Sequence, residues 1–118
     1  MKNLKNTESI SPRFKATLEQ LDEFIDKNKI ISKLTVFGPS IMNPAYIESD
    51  EAELYLAVFF DEESAKSFKS KDYTRLTCRL EHEIPFVLTY AIQDTFAYKQ
   101  NGQLQEDIKK GIVIFERT

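Results

Sequence analysis

Apolar residues recur along this chain with two different periods. Phe14, Leu18, Leu21, Phe24 and Ile25 are spaced by four, three, three and one, among Lys15, Glu19, Gln20, Asp22 and Glu23. That stripe predicts an amphipathic helix lying on a core. Ser11-Pro12 supplies an N-cap and a first-turn proline, and the helix is expected to end near Asn28. Tyr73, Leu76, Leu80 and Ile84 repeat the helical spacing and stop before Pro85, which disfavours helix in the residue ahead of it. Asp61-Glu62-Glu63 reads as an acidic start for a short helix anchored by Ala65 and Phe68, with Lys66, Lys69 and Lys71 at its C-terminal end.

The shorter apolar runs read as strands. Residues 30–37 are β-branched and aromatic and are halted by Gly38-Pro39-Ser40. Residues 53–60 (ELYLAVFF) form the most apolar run, too short for most helices, and predict a central strand buried on both faces. Between them, residues 41–50 show little periodicity and predict a loop or one irregular helical turn. Residues 86–92 predict a third strand and 112–115 a short last one. Asp94 is a candidate cap for a turn carrying Phe96 and Tyr98, Asn101-Gly102 marks a loop, and residues 104–110 predict a helix closed by Gly111.

The predicted order, α-β-loop-β-α-α-β-α-β, implies an α+β fold: one mixed sheet with helices packed mainly on one face. A length of 118 residues suits one core. Residues 1–10 lack periodicity and read as a flexible leader, followed by a single domain over 11–118. A hydrophobic share of 42% with 30% charged residues is that of a globular chain. The net charge of −3 gives no basic field for duplex DNA. No apolar stretch near the start is long enough for a signal peptide or spanning helix, so a cytoplasmic protein without membrane association is expected.

Cys78 is the single cysteine and His82 the single histidine, which leaves no internal disulfide and no Cys/His zinc cluster. Their i,i+4 spacing permits a shared helix face and a nucleophile pair. The alternative is a half-buried cysteine beside a surface histidine. Tyr73, Tyr90 and Tyr98 with Phe96 are candidates for base stacking or for core filling. Lys66, Lys69, Lys71 and Arg75 form either a basic edge for a phosphate or acidic partner, or a solvated helix end.

The richest chemistry lies in VFGPS at 36–40 followed by SDEAELYLAVF at 49–59. A strand ending in a Gly/Ser turn can present backbone N–H groups and a hydroxyl to a phosphate, here from Gly38 and Ser40. Glu51 and Glu53, alternating at the mouth of the next strand, would point to one side and can share a Mg²⁺ ion.

This arrangement resembles the minimal nucleotidyltransferases of the polymerase-β-like superfamily, in which a strand, Gly-Ser, a loop and Asp-x-Asp precede an apolar strand. The ending DIKKGIVIFE at 107–116 is similar to that family's closing helix, glycine and short strand, so the resemblance spans about residues 11–116. It implies two Mg²⁺ ions held by three carboxylates, with Glu51 and Glu53 as catalytic and metal-binding acids and a nucleoside triphosphate (NTP) attacked at its α-phosphate.

The chain departs from the pattern at Pro39, in having glutamates for aspartates, and in a loop over 41–48 without Lys or Arg. The third acid, expected inside the 86–92 strand, is missing, leaving Asp50, Asp94 or a partner chain to supply one. The resemblance therefore implies a degenerate member, expected to act as a non-catalytic protein-binding or regulatory module, as in toxin–antitoxin systems, with a protein partner or its own copy. The alternative is a Mg²⁺-dependent nucleotidyltransferase that modifies a protein or small molecule.

Overall fold

A 3₁₀ turn at Pro12–Phe14, its Arg13 N–H bonded to Ser11 Oγ, leads into helix α1 (Lys15–Lys27). The computed structural model describes residues 1–63, 66–92 and 95–117, without the side chains of 95–97. Four strands follow: β1 (Ile31–Val36), β2 (Leu54–Phe60), β3 (Val87–Ile92) and β4 (Ile112–Glu116). They lie in the order β3-β2-β1-β4, with β1 antiparallel to β2 and β4, and β2 parallel to β3. The fold is α+β with a mixed sheet.

Strand β2 is internal and alternates cleanly. Leu54, Leu56, Val58 and Phe60 join Leu34, Val36 and Ile114 against the α1 stripe and against Tyr73, Leu76 and Leu80 of helix α4 (Ser70–Glu83). Leu21, Leu34, Leu54 and Leu56 are fully buried, each contributing about 2 kcal/mol by removal from water. On the other face a smaller cluster of Phe37, Ala57 and Ile108 gathers Tyr55, Phe59, Ile92, Tyr98 and Leu104. Those residues come from the sheet, from α5 (Thr95–Gln100) and from α6 (Gly102–Lys109). Burial on both faces of β2 explains its unbroken apolar sequence.

Three expectations need correction. The connection over 41–50 holds two short helices, α2 (Pro39–Met42) and α3 (Pro44–Ile47), each opened by proline, with Asn43 Oδ1 accepting the Tyr46 N–H at 3.1 Å. The acidic run at 61–63 starts no helix among the described residues; Ser64 and Ala65 lie outside them. Phe68 is instead held in an irregular segment by the rings of Phe60 and Tyr73, and the helix starts only at Ser70, where Asp72 accepts the Lys69 N–H at 2.7 Å. Lys69 and Lys71 therefore stand at a helix beginning.

The leader is tied down. Asp22 accepts the N–H groups of Lys2, Asn3 and Leu4 at 3.3, 2.8 and 2.9 Å, and Lys2 pairs with Asp26 at 2.8 Å. Beyond it, Lys5 N–H donates to Ile114 O at 2.8 Å and Asn6 Nδ2 to Val113 O at 2.8 Å, along the outer edge of β4.

Thr35, near the end of β1, is 1% exposed, and its hydroxyl has no hydrogen-bond partner among the described residues. A buried hydroxyl left unpaired costs about 1 kcal/mol or more. Thr35→Val keeps the shape and the β-branch, so it is expected to raise the unfolding free energy by about 1 kcal/mol in urea titration. A decrease would mean that the hydroxyl is satisfied. Among the described residues no helix is long and apolar enough to cross a membrane.

Candidate functional site

Gly38 closes β1 with φ 68° and ψ −145°, a region that side chains rarely enter. The turn throws the chain directly into α2, and Gly38 O accepts the N–H groups of Ile41 and Met42 at 3.1 and 3.0 Å. The Tyr55 ring packs on the glycine, 3.5 Å from where a Cβ would stand.

Ser40 is fully buried. Its hydroxyl donates to Phe37 O at 2.7 Å and accepts the Tyr55 N–H at 3.2 Å, stitching the turn to β2. A phosphate could accept from that hydroxyl only by displacing its bond to Phe37 O and reaching a fully buried group.

Glu51 is exposed and Glu53 half-buried, with Ala52 fully buried between them; both precede β2, which begins at Leu54. The Glu53 N–H donates to the Tyr46 hydroxyl at 2.9 Å. Among the described residues no group of three or more His, Cys, Asp or Glu side chains is placed to hold a metal ion. Strand β3 carries no acid, Asp50 is exposed beside Glu51, and Asp94 lies outside the described residues. The acids among the described residues do not make up a two-Mg²⁺ donor set.

The remaining candidates separate. Cys78 is exposed, not half-buried, as is His82, and both sit on the outer side of α4. Lys66 pairs with Glu63 at 3.0 Å, and Lys69, Lys71 and Arg75 are exposed. Tyr73 is core, edge-on to Phe60 and Phe68, and Tyr98 stands edge-on to Phe59. The Phe96 side chain lies outside the described set.

Tyr90 differs: it is 37% exposed and stacks on Tyr55 with centroids 6.2 Å apart and planes at 26°. Phe37 stands edge-on to both, and Tyr46 edge-on to Tyr55 at 5.8 Å. This group of three tyrosines around a buried phenylalanine adjoins Gly38 and Glu53. Tyr46, Tyr55 and Phe37 were not legible as its members. The parallel register sets Leu88 opposite Tyr55 and Tyr90 opposite Ala57, so the two tyrosines meet diagonally, which no single-strand pattern reveals.

Burial raises the Tyr55 phenol above its ordinary value, helped by the Tyr46 and Tyr90 hydroxyls and the Glu53 carboxylate nearby. Tyr55 stays protonated at neutral pH. The surroundings are acidic: no Lys, Arg or His occurs from Leu34 to Ala65, while Glu48, Asp50, Glu51 and Glu53 crowd the approach to β2. Arg13 reaches this region from the helical start, and its guanidinium is used on the carbonyls of Ile47 and Ser49.

A groove of about 520 Å³ lies at the opposite end of the sheet, between Lys33, Phe59, Glu116 and Arg117, and includes none of these residues. No protein-family model, curated protein or solved structure matches the chain.

Proposed function

We propose that this protein is a nucleotidyltransferase-like domain with a degenerate site that serves as a protein-binding, regulatory module. The observation that carries the proposal is Ser40: the hydroxyl that the resemblance assigns to phosphate is buried and engaged at both ends inside the fold. Two further features support it. Glu51 and Glu53 belong to no three-acid group placed to hold a metal ion among the described residues, and an aromatic group adjoins Glu53. Aromatic side chains on a rigid sheet suit recognition of a protein, because they bring large contact area at low entropic cost.

The test is thermal unfolding with Mg²⁺ and each of the four common NTPs, on the wild type and on Glu51→Gln/Glu53→Gln. The expected result is no shift in either protein. A ligand at a hundredfold excess over its dissociation constant would add about 2.7 kcal/mol of stability. A Mg²⁺-dependent shift lost in the double variant would overturn the proposal in favour of nucleotidyl transfer.

A further inference from the structure

Four ring faces elsewhere on this protein are covered by its own cations. Arg13 lies over Phe14 at 5.8 Å, Lys33 over Phe59 at 5.1 Å, Arg79 over Phe24 at 5.5 Å and Arg117 over Phe115 at 4.9 Å. The tyrosine group has no such partner among the described residues. It nonetheless unites what a cation seeks: electron-rich ring faces, phenol oxygens that accept hydrogen bonds, and a carboxylate at hand. The 32-residue run from Leu34 to Ala65 supplies acids and no base, so its charge complements a positive ligand.

Phe86 borders the start of β2. Its carbonyl accepts the Leu54 N–H at 2.7 Å, which sets it beside Glu53, yet it is 56% exposed and held at φ 61°. A ring-bearing residue is disfavoured in that left-handed conformation, and such outliers concentrate at functional sites. An exposed ring there suits the aliphatic stem of a long basic side chain.

We infer that Tyr46, Tyr55, Tyr90 and Glu53 receive a lysine or arginine side chain of a protein partner, an inference that rests on the protein-binding reading above. Tyr90 offers the accessible ring, Tyr55 and Phe37 fix its angle from beneath, and Glu53 supplies the counter-charge. The surrounding acids draw basic segments toward the face, and salt weakens that attraction.

The test uses three fluorescein-labelled twelve-residue peptides that alternate serine with lysine and arginine, with glutamine, or with glutamate, titrated by anisotropy. The basic peptide is expected to bind about tenfold more tightly than the neutral one. Tyr90→Leu, which keeps charge and apolar bulk but removes the π face, is expected to weaken the basic peptide about tenfold at unchanged melting temperature. Glu53→Gln is expected to weaken it and to flatten its salt dependence.

Unchanged affinity in Tyr90→Leu would overturn the inference, because the basic peptide would then be held by diffuse charge alone. Equal affinity for all three peptides would also overturn it. Preference for the neutral or acidic peptide, lost in Tyr90→Leu, would overturn the choice of a cation while leaving protein binding at this face intact. The protein-binding reading fails separately, through the Mg²⁺-dependent NTP shift described above.

Discussion

Replacing Gly111 with alanine is expected to lower the unfolding free energy by about 3 kcal/mol, the upper range for forcing extra volume into a packed interior. A Cβ at this position would stand 2.5 Å from Val36 O, 2.9 Å from Thr35 Cγ2 and 3.0 Å from Ile108 O. Two of those three neighbours are backbone oxygens, fixed by the strand β1 and by the end of α6, so relief requires β4 to move away from β1. That movement strains the Val36–Ile112 and Thr35–Val113 pairings.

Gly111 looks in sequence like a helix-closing glycine chosen for left-handed backbone. Its N–H does close α6 on Ile108 O at 2.9 Å, but Gly38 is the glycine with positive φ among the described residues. Gly111 is needed for close approach, not for its dihedral freedom. Urea unfolding measures the effect, with a fall in melting temperature of about 10 °C for a chain of this size. A loss below about 0.5 kcal/mol would show that β4 yields without cost.

Substitution of Asp22 by asparagine is expected to cost about 2 kcal/mol at pH 7, because charge-assisted bonds to the leader become neutral ones and the amide nitrogen turns one acceptor into a donor. Asp22 is buried, and burial pushes its carboxyl up. The N–H groups of Asn3, Leu4 and Lys2 together outweigh that push and leave it below the ordinary value of 3.8.

A carboxylate with a depressed folded-state pKa stabilises above its unfolded pKa, and the contribution is lost as pH falls through the folded one. The difference between wild type and Asp22→Asn should therefore be constant from neutrality to about pH 5 and shrink steadily below about pH 4. Chemical denaturation at pH 7 and at successive acid steps measures it. A difference that persisted at pH 2 would place the effect in packing instead of charge.

The parts of this fold that were legible in the sequence are those written in local periods. The α1 stripe, the alternation of β2 and the stop at Gly38 each follow from residues within a few positions of one another. What escaped depends on long-range pairing. The bonds from Asp22 to the leader join residues 18 to 20 positions apart, and nothing in an Asp on an amphipathic helix announces that three N–H groups will converge on it.

Ser40 looked like a phosphate ligand because a Gly/Ser turn is compatible with anion binding; its burial depends on where β2 runs, which the turn does not encode. The acidic run at 61–63 carried helix-start chemistry, but Phe68 found two aromatic neighbours in an irregular segment, and Asp72 supplied a better start at Lys69. Glu51 and Glu53 were legible as acids ahead of the β2 run, while the aromatic group beside Glu53 needed the parallel β2–β3 register to become visible.

The strap formed by Lys5 and Asn6 across Ile114 and Val113 also limits how copies of this protein can join. A sheet with two open edges can extend from both and so template an endless ribbon. Here the β4 edge carries the leader at Val113 and Ile114, and on β3, the other edge strand, the Glu81 carboxylate accepts the Thr89 N–H at 2.8 Å, so both edges are engaged from within the chain. The leader that docks on Asp22 through Lys2, Asn3 and Leu4 thus obstructs one edge and Glu81 the other, which opposes fibre growth from either side.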